Sequence, residues 1–247
     1  MQSTLHAVLL STTRYTEDTL IVHLYTRERG AMCLTARTAG SRSSQNLRRV
    51  LAQVPATLEV EVELRPKGMA RLRQARQLQP YTSLPYDPRK RAVAMYVAEV
   101  ADRLLHSEGA DASLYAYLQE ALRWLDATHR AQAVANFHIL VLTGLTARLG
   151  IAPSMEGYRK GMHFDLQEAR FVEPEAGTGP YRLDAAQAAV LHLMCTRMGL
   201  RSLHLLALNR CERARCMRVI ERYYMLHVPG FRPEALKSEA VLKELLY

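Results

Sequence analysis

Between Arg29 and Leu58 the sequence has no aspartate or glutamate, yet it carries Arg37, Arg42, Arg48 and Arg49. Local neutralisation of those cations is therefore excluded. No stretch reaches the ~18 uninterrupted apolar residues that a membrane-spanning helix needs, so no membrane partner is expected. The opening MQSTLHAVLLSTTRY lacks a basic leader, a long apolar core and a small-residue cleavage site, which predicts no secretory signal and a cytoplasmic location. Only four cysteines are present, Cys33, Cys195, Cys211 and Cys216, and none forms a CxxC pair. That excludes a disulfide framework, and the five-residue spacing of Cys211 and Cys216 puts them on different helix faces, so no metal site and no cofactor are expected. Enzyme signatures are missing as well: there is no GxSxG elbow, HExxH, GxxxxGK[ST] or GxGxxG after a strand, and the expectation is a protein without catalysis. Before Pro80 the only aromatic side chains besides histidine are Tyr15 and Tyr25, too few for a run of stacked bases.

What is present is positive charge, placed unevenly. Of the net charge of +9 on 247 residues, residues 1–80 supply most, with 12 Arg and Lys against 6 Asp and Glu. Such an excess favours polyanionic partners.

Up to about Pro80 the pattern has period two. In TLEVEVELR, Leu58, Val60, Val62 and Leu64 share one face and Thr57, Glu59, Glu61 and Glu63 the other, as in a half-buried strand. The same pattern marks Leu5–Thr12, Thr19–Thr26, Ala31–Thr38 and Arg71–Leu78, with tight turns at RERG and RPKG. Five short strands in so few residues predict a five-stranded oligonucleotide-binding (OB) barrel over residues 1–80. From Asp87 the period becomes helical, giving an α+β protein with a mainly α-helical domain over 81–247. Asp87 and Pro88 read as an N-cap and a first-turn proline. Asp111–Asp126 is a second helix, and Ala131–Leu149 a third that is apolar nearly all round and forms that domain's core, His138 included. A small hairpin is expected at 161–173, with helices resuming at Leu183, near Arg210 and near Pro233.

A hairpin closed by RPKG sets Glu63 opposite Arg71 and Glu61 opposite Arg73, and those two arginines are then neutralised across the strands. Arg37, at a strand end, and Arg42, Arg48 and Arg49, in the loop expected after it, have no such partners, nor does Lys67 in the turn. With Arg76 they form the expected DNA-binding set, contacting phosphates rather than bases. Late in the chain, Arg215, Arg218 and Arg222 follow i, i+3, i+7 and line one helical stripe, a possible second DNA surface or a site for a partner's tail.

LLSTTRYTEDTLIVHLYTRERGAMCLTARTAGSR, with its T-x-E-x-G hairpin and small-residue basic loop, resembles the RecO family of bacterial recombination and repair proteins. AMYVAEVADRLL, FHILVLTGLTARLGIAP and YYMLHVPGFRPEALKSEAVLKELL extend the resemblance over most of the chain. It implies an OB barrel with a helical domain, and a non-enzymatic mediator that binds single- and double-stranded DNA, anneals complementary strands and helps load a recombinase. It also implies two protein partners, RecR and the acidic C-terminal tail of single-stranded DNA-binding protein. Many members carry a four-cysteine zinc module after the segment matching LGIAP, whereas Ile151–Tyr181 here contains no cysteine. The rival reading is a protein-protein adaptor whose basic patches bind acidic tails without touching DNA.

Overall fold

The computed structural model describes residues 2–174 and 179–246. The period-two stretches become β1 (Gln2–Arg14), β2 (Thr19–Thr26), β3 (Gly30–Arg37), β4 (Ala56–Glu63) and β5 (Ala70–Gln77). They close into a barrel in the order β1-β2-β3-β5-β4, with β3 and β5 parallel and the other pairs antiparallel, which is the OB arrangement. Alternate residues fill the interior, among them Leu5, Val22, Leu24, Leu34, Leu58, Val60, Val62 and Leu72.

The expected basic loop after β3 is instead a helix, α1 (Arg42–Leu51). Ser41 caps it by accepting the Ser44 N–H at 3.1 Å, and Leu47 and Leu51, one turn apart, join the barrel's core cluster. Burying those two side chains stabilises by about 1.5–3 kcal/mol each, which, with the half-buried Val50 packed on the same cluster, holds a helix otherwise made of serine, glutamine, asparagine and arginine. The β4–β5 register also departs from expectation. A bulge between Glu61 and Val62 leaves Glu63 opposite Arg71 but sets Glu61 opposite Gln74. Arg73 accordingly reaches Glu63, at 2.5 Å, and not Glu61.

The T-x-E-x-G turn between β2 and β3 is held by two of its own side chains. Thr26 Oγ1 accepts the Arg29 N–H at 3.1 Å and donates to the Gly30 carbonyl at 2.9 Å. The Glu28 carboxylate accepts the His6 N–H at 3.0 Å and meets His6 Nδ1 at 2.8 Å. Burial opposes ionisation of Glu28, but the His6 hydrogen bonds prevail and lower its pKa.

The first compact unit runs to Ala127, beyond the boundary expected near residue 80, and includes α2 (Pro88–Leu105) and α3 (Ala112–Ala127). The cause lies in β1, where the outward-facing Val8 and Leu10 are buried alongside the inward-facing residues because α2 and α3 pack against that strand. Asp102 of α2 accepts from Ser11 Oγ at 2.7 Å and pairs with His23 Nδ1 at 2.8 Å. Asp87 caps α2 as expected, accepting the Arg89 and Lys90 N–H groups. Asp126, near the end of α3, accepts the N–H groups of Thr82, Ser83 and Leu84 at 3.0, 2.8 and 2.7 Å, which fixes the segment leaving the barrel.

The second unit, Thr128–Tyr247, is built around α4 (Ala131–Arg148), buried over most of its circumference as its composition requires. His138 lies fully inside it, and burial, with the nearby Arg213, pushes its pKa down to about 3. The expected hairpin is β6 (His163–Asp165) and β7 (Arg170–Val172), and β8 (Arg182–Leu183) adds a third strand. α5 (Ala185–Thr196), α6 (Arg210–His227) and α7 (Ser238–Leu246) follow. The three-stranded sheet closes on Met162, Phe164, Leu166, Phe171, Leu183 and Tyr223, and the Tyr158 ring stacks on His192 at 4.0 Å. Among the described residues no three His, Cys, Asp or Glu side chains converge as a metal site would require. Apolar and aromatic packing fills this part of the unit.

Candidate nucleic-acid interface

β3 and β5 run parallel with Thr35 paired to Arg71 and Ala36 to Leu72. This pairing brings Arg37, one residue past Ala36, beside the start of β5. A polar concavity opens there, lined by Arg37, Arg71 and Arg73 and by Ser41, Ser43 and Ser44 from the start of α1. The first turn of α1 has no acidic residue, and its leading N–H groups carry the partial positive charge of a helix N-terminus. One carboxylate, Glu61, also lines the concavity. Cationic forks, hydroxyl donors and a helix N-terminus together are a chemistry suited to phosphate oxygens.

The expected DNA-binding residues divide between places. Arg37 and Arg42 stand at the N-terminal end of α1, and Lys67 is exposed in the β4–β5 turn beyond Glu63 and Arg71. Arg48 and Arg49 lie in the last turn of α1, about 10 Å along the helix axis at 1.5 Å per residue, where positive charge also favours the helix dipole. All five are exposed. Arg76 differs: its Nε donates to Glu59 at 2.6 Å, and that bond holds the Glu59 carboxyl below its usual range. Its charge is compensated on the spot. Arg71, set aside from sequence as neutralised, lines the concavity instead. Arg71 keeps its register opposite Glu63, but the Glu63 carboxylate pairs with Arg73, the residue that the bulge leaves without a cross-strand partner, and that bulge has no signature in the alternation of TLEVEVELR.

In the second unit an apolar groove of about 150 Å³ runs between α4, α5 and α6, walled by Val190, Leu191, Met194, Val219 and Ile220, with Arg215 and Glu212 at its edge. The Glu212 carboxylate is engaged in capping α6, accepting the Asn209 N–H at 2.7 Å. Of the expected stripe, Arg215 borders this groove, Arg218 faces solvent, and Arg222 donates to the Pro180 carbonyl at 3.3 Å.

Comparison with known proteins decides the family. The family model described as Recombination protein O N terminal matches residues 1–81, and that described as Recombination protein O C terminal matches residues 85–237. The chain belongs to the RecO family. Among RecO relatives, the DNA repair protein RecO of Phocaeicola vulgatus is 37% identical over 239 residues, covering 96% of each chain. The Bacteroides fragilis protein of the same name is 36% identical over 241 residues, again 96% of each, and that of Porphyromonas gingivalis 26% identical over 243 residues, 97% of each. The two RecO matches meet between residues 81 and 85, while the compact units divide after Ala127. The helices α2 and α3 thus belong by sequence to the C-terminal part and by packing to the barrel. No helix among the described residues is long and apolar enough to cross a membrane.

Proposed function

We propose that this chain is a non-enzymatic recombination mediator that binds single- and double-stranded DNA, anneals complementary strands and helps load a recombinase during repair. The observation that supports this best is the concavity of the first unit, where Arg37 and Arg71, beside the Glu63-paired Arg73, stand around the acid-free start of α1. Annealing makes and breaks no covalent bond. It needs two polyanions held close, which exposed cations achieve by displacing condensed counterions. Few of the contacts would read base edges, so binding is sequence-tolerant and steeply salt-dependent.

The partners that the family resemblance implies are RecR and the tail of single-stranded DNA-binding protein. An acidic peptide ending in apolar side chains suits the α4-α5-α6 groove, whose walls are apolar and whose edge carries Arg215. The test is a strand-annealing assay with labelled complementary oligonucleotides coated with single-stranded DNA-binding protein. The chain should raise the annealing rate. An unchanged rate, with no DNA binding by the chain alone, would leave the adaptor reading in its place.

A further inference from the structure

The far end of α1 adjoins a second, different concavity, of about 120 Å³, where a single water takes ~30 Å³. Ala52 to Pro55, just past the helix, form one wall, and Tyr81, Leu84 and Pro85 the other, with Arg91 at the edge. The seat is rigid. Tyr81 and Leu84 are buried, and Asp126 accepts the backbone N–H groups of Ser83 and Leu84. Directly beside it the Tyr86 backbone is fixed by its N–H bond to the Ser83 carbonyl at 3.0 Å, while its side chain leaves Tyr86 82% exposed.

Arg91 lines the seat, and three more arginines are close to it along the chain, Arg89 three residues past Tyr86 and Arg48 and Arg49 in the last turn of α1 just ahead of Ala52. All four are exposed, and none has an ion pair among the described residues. The nearby acids are occupied: Asp87 caps α2 through the Arg89 and Lys90 N–H groups, and Asp126 serves the backbone. A lone exposed ring needs no explanation. A ring on a fixed backbone, beside an apolar seat and four unpaired arginines, matches the pairing of stacking platform and phosphate-binding cations used on single-stranded nucleic acid.

We infer that Tyr86 and the Tyr81–Leu84–Pro85 seat hold an unstacked base of single-stranded DNA, with Arg48, Arg49, Arg89 and Arg91 contacting the flanking phosphates. This rests on the DNA-binding reading and adds to it a preference for single strands, because a duplex keeps its bases stacked inside. The arginine concavity at the other end of α1, by contrast, offers a backbone grip open to either form.

The experiment uses the full chain, a labelled oligothymidylate and a blunt duplex of equal length, in fluorescence anisotropy at fixed salt. Tyr86→Ala should weaken single-strand binding about fivefold or more, as loss of one base–aromatic stack does, and leave duplex binding unchanged. Tyr86→Phe, which keeps the ring, should behave as wild type. Photocrosslinking of an iodouracil-substituted strand should label Tyr86. If wild type binds DNA but Tyr86→Ala weakens neither form, or both equally, or the crosslink maps elsewhere, the base seat is wrong while the DNA-binding reading stands. If wild type binds neither DNA, that reading fails first and the seat with it, and the surface would then suit an acidic protein segment.

Discussion

Gly30 lies so close to Gly109 that a Cβ added to Gly30 would sit 2.3 Å from the Gly109 carbonyl carbon. Neighbouring bonds explain the approach: the Ala31 N–H donates to the Glu108 carbonyl and the Tyr25 hydroxyl to the Gly109 carbonyl, each at 2.9 Å. The β2–β3 turn is thereby clasped to the connection between α2 and α3. Gly30 also has φ +72°, so Gly30→Ala combines a left-handed conformation with a backbone clash. It should destabilise the first unit by at least ~2 kcal/mol. Gly68→Ala, with φ +82° but open space around it, should cost only ~1 kcal/mol. Urea titration of both variants separates the clash from the dihedral, and equal losses would show that no clasp exists.

A second clasp is sensitive to pH. The Asp102 hydrogen bond raises the His23 pKa above 6.5, against a smaller opposing effect of burial. A raised histidine pKa stabilises the fold below the unfolded value, and the contribution is lost as pH rises through the folded value. Because His23 is 37% exposed, the gain stays within ~1 kcal/mol. Asp102→Asn should therefore lose most relative to wild type below pH 6.5, and the gap should narrow at alkaline pH. A gap independent of pH would assign the stabilisation to the neutral hydrogen bonds.

The sheet β6-β7-β8 is expected to hold without zinc. Protein purified without chelators should contain no stoichiometric zinc, and added EDTA should leave the thermal midpoint unmoved. Phe164→Ala, removing a fully buried ring, should lower stability by ~3–5 kcal/mol. A near-integral zinc content would overturn this account of the region.

In the groove of the second unit Arg215 should dominate. Neutralising it as Arg215→Gln is expected to weaken binding of a labelled acidic tail peptide several-fold, and Arg218→Gln to change it little, since Arg218 does not line the groove. Equal losses would mean that the whole stripe, not the groove, receives the tail.

The sequence made the barrel strands legible because one face of each is buried, so alternation survives in TLEVEVELR. It marked Asp87 with Pro88 and the all-round apolar α4 for similarly local reasons. It hid α1, whose few apolar residues span less than three turns and whose stability comes from Leu47 and Leu51 reaching a barrel assembled from distant strands. The reach of the first unit to Ala127 had a faint trace in the run Ala7–Leu10, apolar on both faces of a strand. Among candidate site residues, chemistry was readable and placement was not: Arg37, Arg42, Arg48 and Arg49 were marked by the missing acids, yet the helix parts them, and a bulge, not a motif, gave the Glu63 carboxylate to Arg73 in place of Arg71.

The central claim, that the cationic surface of the first unit grips DNA phosphates, is tested most directly by the salt dependence of affinity. Wild type and the charge-reversed Arg37→Glu, Arg42→Glu, Arg48→Glu, Arg49→Glu variant would be titrated with unrelated DNA sequences over a range of salt. The variant should bind all sequences more weakly, and the slope of log affinity against log salt should flatten by about 0.7–0.9 for each phosphate that the protein no longer neutralises. A correctly folded variant with wild-type affinity and an unchanged slope would contradict the claim.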